Sequence, residues 1–169
     1  GLKAGRSFVT NGPLVEFTVD GVEPGGVTDA DGRAAWALRL HTAVPVSTVE
    51  VLVNGEVVQS QPAADGAHQT FEGELDLPPG GWVAVRVTGP ATTARPAMDS
   101  YAFAHTSPVW IGTVGSVERS AELRSVAVLE QALAGARTRL EIGYGGASIP
   151  ELTARFDEAR AALEARRNR

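Results

Sequence analysis

The sequence predicts a mainly β protein: an immunoglobulin-like antiparallel β-sandwich of about seven strands, followed by a C-terminal α-helical hairpin. Three observations carry this reading. Through the first two-thirds of the chain, apolar residues alternate or run in short bursts, with turn signals at about every tenth residue. Beyond residue 115 the apolar residues recur instead at intervals of three and four. The charge changes at the same point: residues 1–115 hold six Lys/Arg against twelve Asp/Glu, and residues 116–169 hold nine against eight. The expected division is a sandwich domain over 1–115 and a helical hairpin tail over 116–169, packed on the sandwich or on a partner.

The strands follow in order. A short β-prone run, Ser7-Phe-Val-Thr10, meets a turn at Asn11-Gly-Pro13. Leu14 to Val19 ends at the turn dipeptide Asp20-Gly21. Ala34 to Leu40 places Ala34, Trp36, Leu38 and Leu40 on one face of a strand. Val49 to Val53 runs into Asn54-Gly55 and then Glu56 to Gln59. Asn-Gly between two β-prone runs predicts a type I′ hairpin, because both central residues need positive φ. Phe71 to Leu77 alternates, Pro78-Pro-Gly-Gly81 breaks it, and Trp82 to Val87 alternates again. Thr88 to Ser100 reads as a loop rich in Pro, Ala and Thr. Tyr101 to Ile111 is the last expected strand, with Pro108 marking a bulge or an edge.

In the tail, Val126, Leu129, Leu133, Ala136 and Leu140 form one helical stripe. Gly143-Tyr-Gly-Gly146 stops that helix. Ser148-Ile-Pro-Glu151 fits a capping box with proline in the first turn. Leu152, Phe156, Ala159 and Leu163 continue the stripe in a second helix. The tail Arg166-Arg-Asn-Arg169 is expected to be solvated.

Composition narrows the function classes. A length of 169 residues suits one domain, or one domain with a small appendage. Nineteen glycines and ten prolines cluster between apolar runs, which fits tight turns. A net charge of −5 gives no reason to expect a nucleic-acid partner. The arginines of the tail alternate with acids, as on a solvated helix face. The absence of cysteine excludes disulfides, thiolate metal sites and cysteine nucleophiles. No apolar run approaches the ~20 residues of a membrane span, so no membrane partner is expected. The only methionine is Met98, and the chain enters a β-prone run almost at once. It is therefore expected to be a piece of a longer protein, with its compartment left open.

Candidate chemistry is sparse. His41, His68 and His105 are the only imidazoles, and none pairs as His-x-His. Asp99, His105 and Ser107 can be written as a triad, but no Gly-x-Ser-x-Gly elbow accompanies them. Asp29-Ala-Asp-Gly32 resembles a fragment of a calcium loop. The residue where that loop needs its bidentate glutamate is Leu40, so a plain turn is the expectation. Trp36, Trp82 and Trp110 could stack sugars, yet all three sit in alternating or apolar strands, which predicts packing. No catalytic, cofactor-binding or metal-ligating residue is assigned.

Four blocks occur in series: Gly5-Arg-Ser-Phe-Val-Thr-Asn-Gly-Pro-Leu14 with Val19-Asp-Gly21; Ala43-Val-Pro-Val46 leading to Val49-Glu-Val-Leu-Val-Asn-Gly-Glu-Val57; Gly81-Trp-Val-Ala-Val-Arg86; and Phe103-Ala-His-Thr-Ser-Pro-Val-Trp110. The series resembles the C-terminal region of PHP-type metal-dependent hydrolases of the CehA/McbA (carbaryl-hydrolase-like) group. The resemblance covers most of residues 1–115; the helical tail matches more loosely. It implies a divalent-metal cluster in an N-terminal PHP domain, held by His and Asp/Glu ligands that begin with a His-x-His pair. That pair is absent here, so the resemblance implies a non-catalytic accessory domain, with no cofactor in this piece. Its implied partner is the N-terminal PHP catalytic domain of the same parent chain, or a second copy in a homo-oligomer. Arg6, Thr10 and Asn11, together with His105, Thr106 and Ser107, are the candidate interdomain contacts. The alternatives are a glycan- or polymer-binding sandwich using exposed aromatics, and a self-contained enzyme.

Overall fold

The computed structural model describes residues 1–29, 32–145 and 149–169. Ten strands form among them: β1 (Phe8–Thr10), β2 (Leu14–Val19), β3 (Val27–Thr28), β4 (Arg33–His41), β5 (Thr48–Val53), β6 (Glu56–Pro62), β7 (His68–Asp76), β8 (Gly81–Thr92), β9 (Ser100–Thr106) and β10 (Val109–Ile111). A 3-10 turn, Leu2–Ala4, precedes them; two helices, α1 (Arg119–Gly143) and α2 (Pro150–Arg167), follow. The chain divides into two compact units, Gly1–Glu118 and Arg119–Arg169.

Period-two patterning builds the first unit as a β-sandwich. Along β4, Ala34, Trp36, Leu38 and Leu40 are buried and their neighbours are exposed. They pack with Val15, Phe17 and Val19 of β2 and Val83, Val85 and Val87 of β8 in one core. Each large apolar side chain so buried contributes about 1.5–3 kcal/mol. The smaller sheet runs β2-β4-β7. The larger runs β1-β9-β8-β10-β3, with β5 joined to β8 and β6 to β5. All these pairs are antiparallel except β10 with β3, which is parallel.

The Asn54-Gly55 hairpin forms as expected, with φ of 52° and 86°. The Asn54 side chain then reaches across to the next strand: its Oδ1 accepts from Trp82 N at 2.9 Å and its Nδ2 donates to the Gly80 carbonyl at 3.2 Å.

The rise from about seven expected strands to ten has three sources. The β-prone run at Ser7–Thr10 pairs as β1. Two-residue β3 forms its ladder with a distant parallel partner, β10. The expected strand Tyr101–Ile111 is two strands, β9 and β10, both paired with β8. Their register against β8 moves by one residue across Ser107-Pro108, the bulge that Pro108 signals. The expected loop Thr88–Ser100 is shorter than anticipated, because β8 continues to Thr92. It crosses Gly89-Pro90 where the β8–β9 register slips, so the proline owes no ladder bond.

In the second unit, α1 and α2 form an antiparallel hairpin. Arg119 at the start of α1 donates to the carbonyls of Arg166 and Arg167 at the end of α2, at 2.9 and 2.6 Å. Arg137 pairs with Asp157 further along. Pro150 opens α2 as expected, but the N-cap position is Ile149, with no side-chain cap bond; Ser148, the expected partner of Glu151 in a capping box, lies outside the described residues. The apolar stripes need two corrections: Leu152 of α2 is exposed, and so is Leu129 of α1. Leu129 is 54% exposed, while Val126 is buried and Leu133, Ala136, Leu140 and the neighbouring Glu122 and Glu130 are half-buried. These carboxylates pair with Arg166 and Arg167, so ion pairs join the apolar residues between the two helices.

Candidate functional site

The first and last of the four blocks in the resembling series lie some 95 residues apart in sequence and side by side in space. β1 pairs with β9 in the register Phe8↔Thr106, Val9↔His105 and Thr10↔Ala104. Ser7 and Ser107 extend the ladder: Ser107 N donates to the Ser7 carbonyl at 2.9 Å, and the two hydroxyls are 2.8 Å apart. Asn11 closes the other end. Its Oδ1 accepts from Phe103 N and its Nδ2 donates to the Tyr101 carbonyl, both at 2.7 Å. Thr10 Oγ1 donates to the Pro13 carbonyl at 2.5 Å and accepts from Gly12 N at 2.9 Å, which fixes the Asn11-Gly-Pro13 turn. Ser7, Asn11 and Ser107 therefore help to hold an edge strand on the sheet.

Thr106 leaves the candidate contact set. It is 4% exposed, and its hydroxyl accepts from Val85 N at 3.0 Å. The bulge at Ser107-Pro108 interrupts the carbonyl ladder there, and this hydroxyl supplies the missing acceptor. His105 Nδ1 lies 2.8 Å from the Thr106 carbonyl; since a carbonyl only accepts, this nitrogen carries the proton. Ser107 is hydrogen-bonded to Ser7 and not to His105, and Asp99 makes a backbone bond to Thr92. The written triad Asp99-His105-Ser107 is thus not assembled.

What the seam turns outward is aromatic. Tyr101, Phe103 and His105 share one face of β9, with ring centroids 6.3 and 6.5 Å apart in succession. Val9 stands beside His105 on β1, and on the other side the Arg86–Glu50 pair closes at 2.6 Å. Trp82 and Trp110 face each other in the β8–β10 register on this same face, both half-buried. Val9 is 64% and Tyr101 55% exposed. The outer face of the smaller sheet has the opposite character: Glu16, Arg39, Glu72, Glu74 and Arg33, with ion pairs Arg39–Glu16 and Arg33–Glu74. Trp36 belongs to neither face; it is buried in the core, its Nε1 donating to Gln59 Oε1 at 2.9 Å.

A cavity of about 570 Å³ opens at the sandwich edge where β1 and β2 part, lined by Arg6, Ser7, Phe8, Phe17 and Glu23 among others. Arg6 is exposed there, and its guanidinium has no ion pair among the described residues. The opposite edge is closed: Gln59 and Gln61 of β6 donate to the Glu74 and Glu72 carbonyls of β7 at 2.5 and 3.2 Å.

One pairing escaped the sequence reading. His41 and His68, 27 residues apart, meet across the β4–β7 ladder with their Nδ1 atoms 2.5 Å apart. His41 directly follows the expected strand Ala34–Leu40, and His68 lies just before the expected run Phe71–Leu77, with two further expected strands between them. Placing them together required the exact register. Of the calcium-loop fragment, Asp31 lies outside the described residues. Among the described residues no group of three or more His, Cys, Asp or Glu is placed to hold a metal ion, and no helix is long and apolar enough to cross a membrane. No family model matches the chain, and neither a curated protein nor a solved structure matches it.

Proposed function

We propose that this chain is a non-catalytic accessory domain of a PHP-type metal-dependent hydrolase, packing through the outer β1–β9 face against the catalytic domain of the same parent. The resemblance supplies the class, and one observation supports the surface. The first and last of the four blocks in the resembling series converge on a single seam, whose outward side chains are Val9, Tyr101, Phe103 and His105. An exposed apolar group on one face of a sandwich, set against a charged opposite face, fits a docking surface. Arg6, exposed beside the seam, is available to a carboxylate of the partner. The proposal also takes the sandwich as immunoglobulin-like, a reading supported by its two facing sheets and buried Trp36.

The test is to express the chain together with the polypeptide encoded immediately upstream of Gly1. The expected result is a His-x-His metal domain there, with slower amide exchange at 8–10 and 101–105 than in the chain alone. An upstream segment without such a domain, or unchanged exchange in its presence, overturns the reading.

A second reading rests on Trp82 and Trp110. Two indoles opposite each other on an outer face fit a glycan- or polymer-binding module, since sugar C–H faces pack on indole. Oligosaccharide binding that is lost in Trp82→Ala or Trp110→Ala would favour it.

A further inference from the structure

We propose that His41 and His68 form a two-imidazole chelate for a borderline divalent transition ion, with Cu2+ the tightest and Ni2+ or Zn2+ weaker. The argument begins with the ladder. Thr42 N donates to the Ala67 carbonyl and Leu77 N to the Gly32 carbonyl, so 42/67 and 32/77 are hydrogen-bonded pairs. Hydrogen-bonded pairs alternate with narrow ones along an antiparallel ladder, which makes His41/His68 a narrow pair, with facing side chains at their closest. Nine consecutive residue pairs between β4 and β7 fix that register.

The rings meet edge to face, with centroids 4.7 Å apart and Nδ1 atoms at 2.5 Å. In the ion-free state one Nδ1 carries a proton and donates it to the lone pair of the other. Metal–imidazole bonds of about 2.0–2.1 Å at one ion place two ligating nitrogens roughly 3 Å apart. The rings need to part by less than about 1 Å, with each proton on Nε2, for both Nδ1 lone pairs to meet one ion. His68 is exposed and His41 half-buried, so an ion reaches them from solvent without the core opening. Neither ring has another hydrogen-bond partner among the described residues. No third protein ligand of the His, Cys, Asp or Glu type joins them there, so the remaining positions fall to water or another small ligand. Nitrogen donors favour Cu2+ over its neighbours in the first-row series. The site is independent of the proposed docking face, which lies on the other sheet.

The test is calorimetric titration of the untagged protein with Cu2+ and with Ni2+, alongside copper electron paramagnetic resonance. One ion per chain is expected, with two nitrogen donors in the copper spectrum. The second imidazole acts at high effective concentration, so His41→Gln or His68→Thr should weaken binding roughly 10²-fold. His105→Gln should bind as the parent does. Circular dichroism of each variant confirms the sheet; His68, exposed at a strand end, tolerates Thr on folding grounds. A weakening of less than about threefold in both variants overturns the proposal. So does a one-nitrogen spectrum, or an equal loss in the His105 variant.

Discussion

Trp36 and Gly73 face each other across the β4–β7 ladder, and a Cβ on Gly73 would stand 2.7 Å from the indole nitrogen. The missing side chain leaves room for the indole to lie over β7 and reach Gln59 Oε1, which the same Cβ would approach to 3.0 Å. Gly73→Ala should therefore displace the ring or the amide and cost about 1–3 kcal/mol, as overpacking does. A urea titration followed by tryptophan emission reads both the lost stability and the changed indole environment. An unchanged midpoint would show that the contact yields freely.

Gln59 joins three elements: it accepts from Trp36 Nε1 and donates from Nε2 to the Glu74 carbonyl at 2.5 Å. Gln59→Leu leaves a largely buried indole N–H without an acceptor. The expected loss is about 1–3 kcal/mol, the cost of an unsatisfied donor. The paired variant Gln59→Leu with Trp36→Phe removes the donor as well and should recover part of that loss relative to the sum of the single changes.

Asn11 holds the end of the β1–β9 seam through two side-chain bonds to β9 backbone. Asn11→Ala should cost about 1–3 kcal/mol and raise amide exchange at Phe103, whose N–H loses its acceptor. Asn11→Asp keeps that acceptor but sets a carboxylate oxygen against the Tyr101 carbonyl, so it should restore protection at Phe103 only when the carboxyl is protonated and can donate.

The parts of this fold that were legible are those decided locally. Alternation along Ala34–Leu40 placed β4, and Asn54-Gly55 specified its own positive φ values and hence its turn. Partnerships decided at a distance were not legible. Val27-Thr28 has no strand signal of its own and becomes β3 through Trp110 and Ile111. Thr106 read as an outward polar residue because its buried acceptor role exists only beside Val85 and the Pro108 bulge. Arg6, Asn11 and Ser107 are candidate contacts through the resemblance alone; the bonds of Asn11 to the Tyr101 and Phe103 backbone and of Ser107 to Ser7 arise only once the two segments pair. His41 and His68 were each judged alone, since imidazoles 27 residues apart become neighbours only through register.

The outward seam residues should matter little to the isolated fold. Val9 and Tyr101 are well exposed, so Val9→Ser and Tyr101→Ser should each change stability by no more than about 0.5 kcal/mol. The same two changes should reduce the exchange protection expected in the extended polypeptide. A thermal melt of each variant separates the cases: a large loss in the isolated chain would make these residues part of its own packing.

The helical hairpin carries a pH response. The hydrogen bond from Arg119 holds the Glu122 carboxyl below its ordinary value, desolvation opposes this, and Arg166 adds to the lowering. Arg119 simultaneously caps the carbonyls of Arg166 and Arg167, placing a cation at the C-terminal end of the α2 dipole. A carboxyl whose folded value is depressed favours folding when ionised. Its contribution is complete above the unfolded-state value and is lost as pH falls through the folded one. The α1–α2 contact should therefore weaken on acidification below the ordinary glutamate range, with neutral pH on the stable side. Glu122→Gln should lower hairpin stability at neutral pH and flatten its acid response, while leaving the sandwich melt in place. Amide exchange across α1 and α2, followed from pH 7 to pH 3, checks both. An unchanged acid response in the Gln variant would assign it to the other carboxylates of the hairpin.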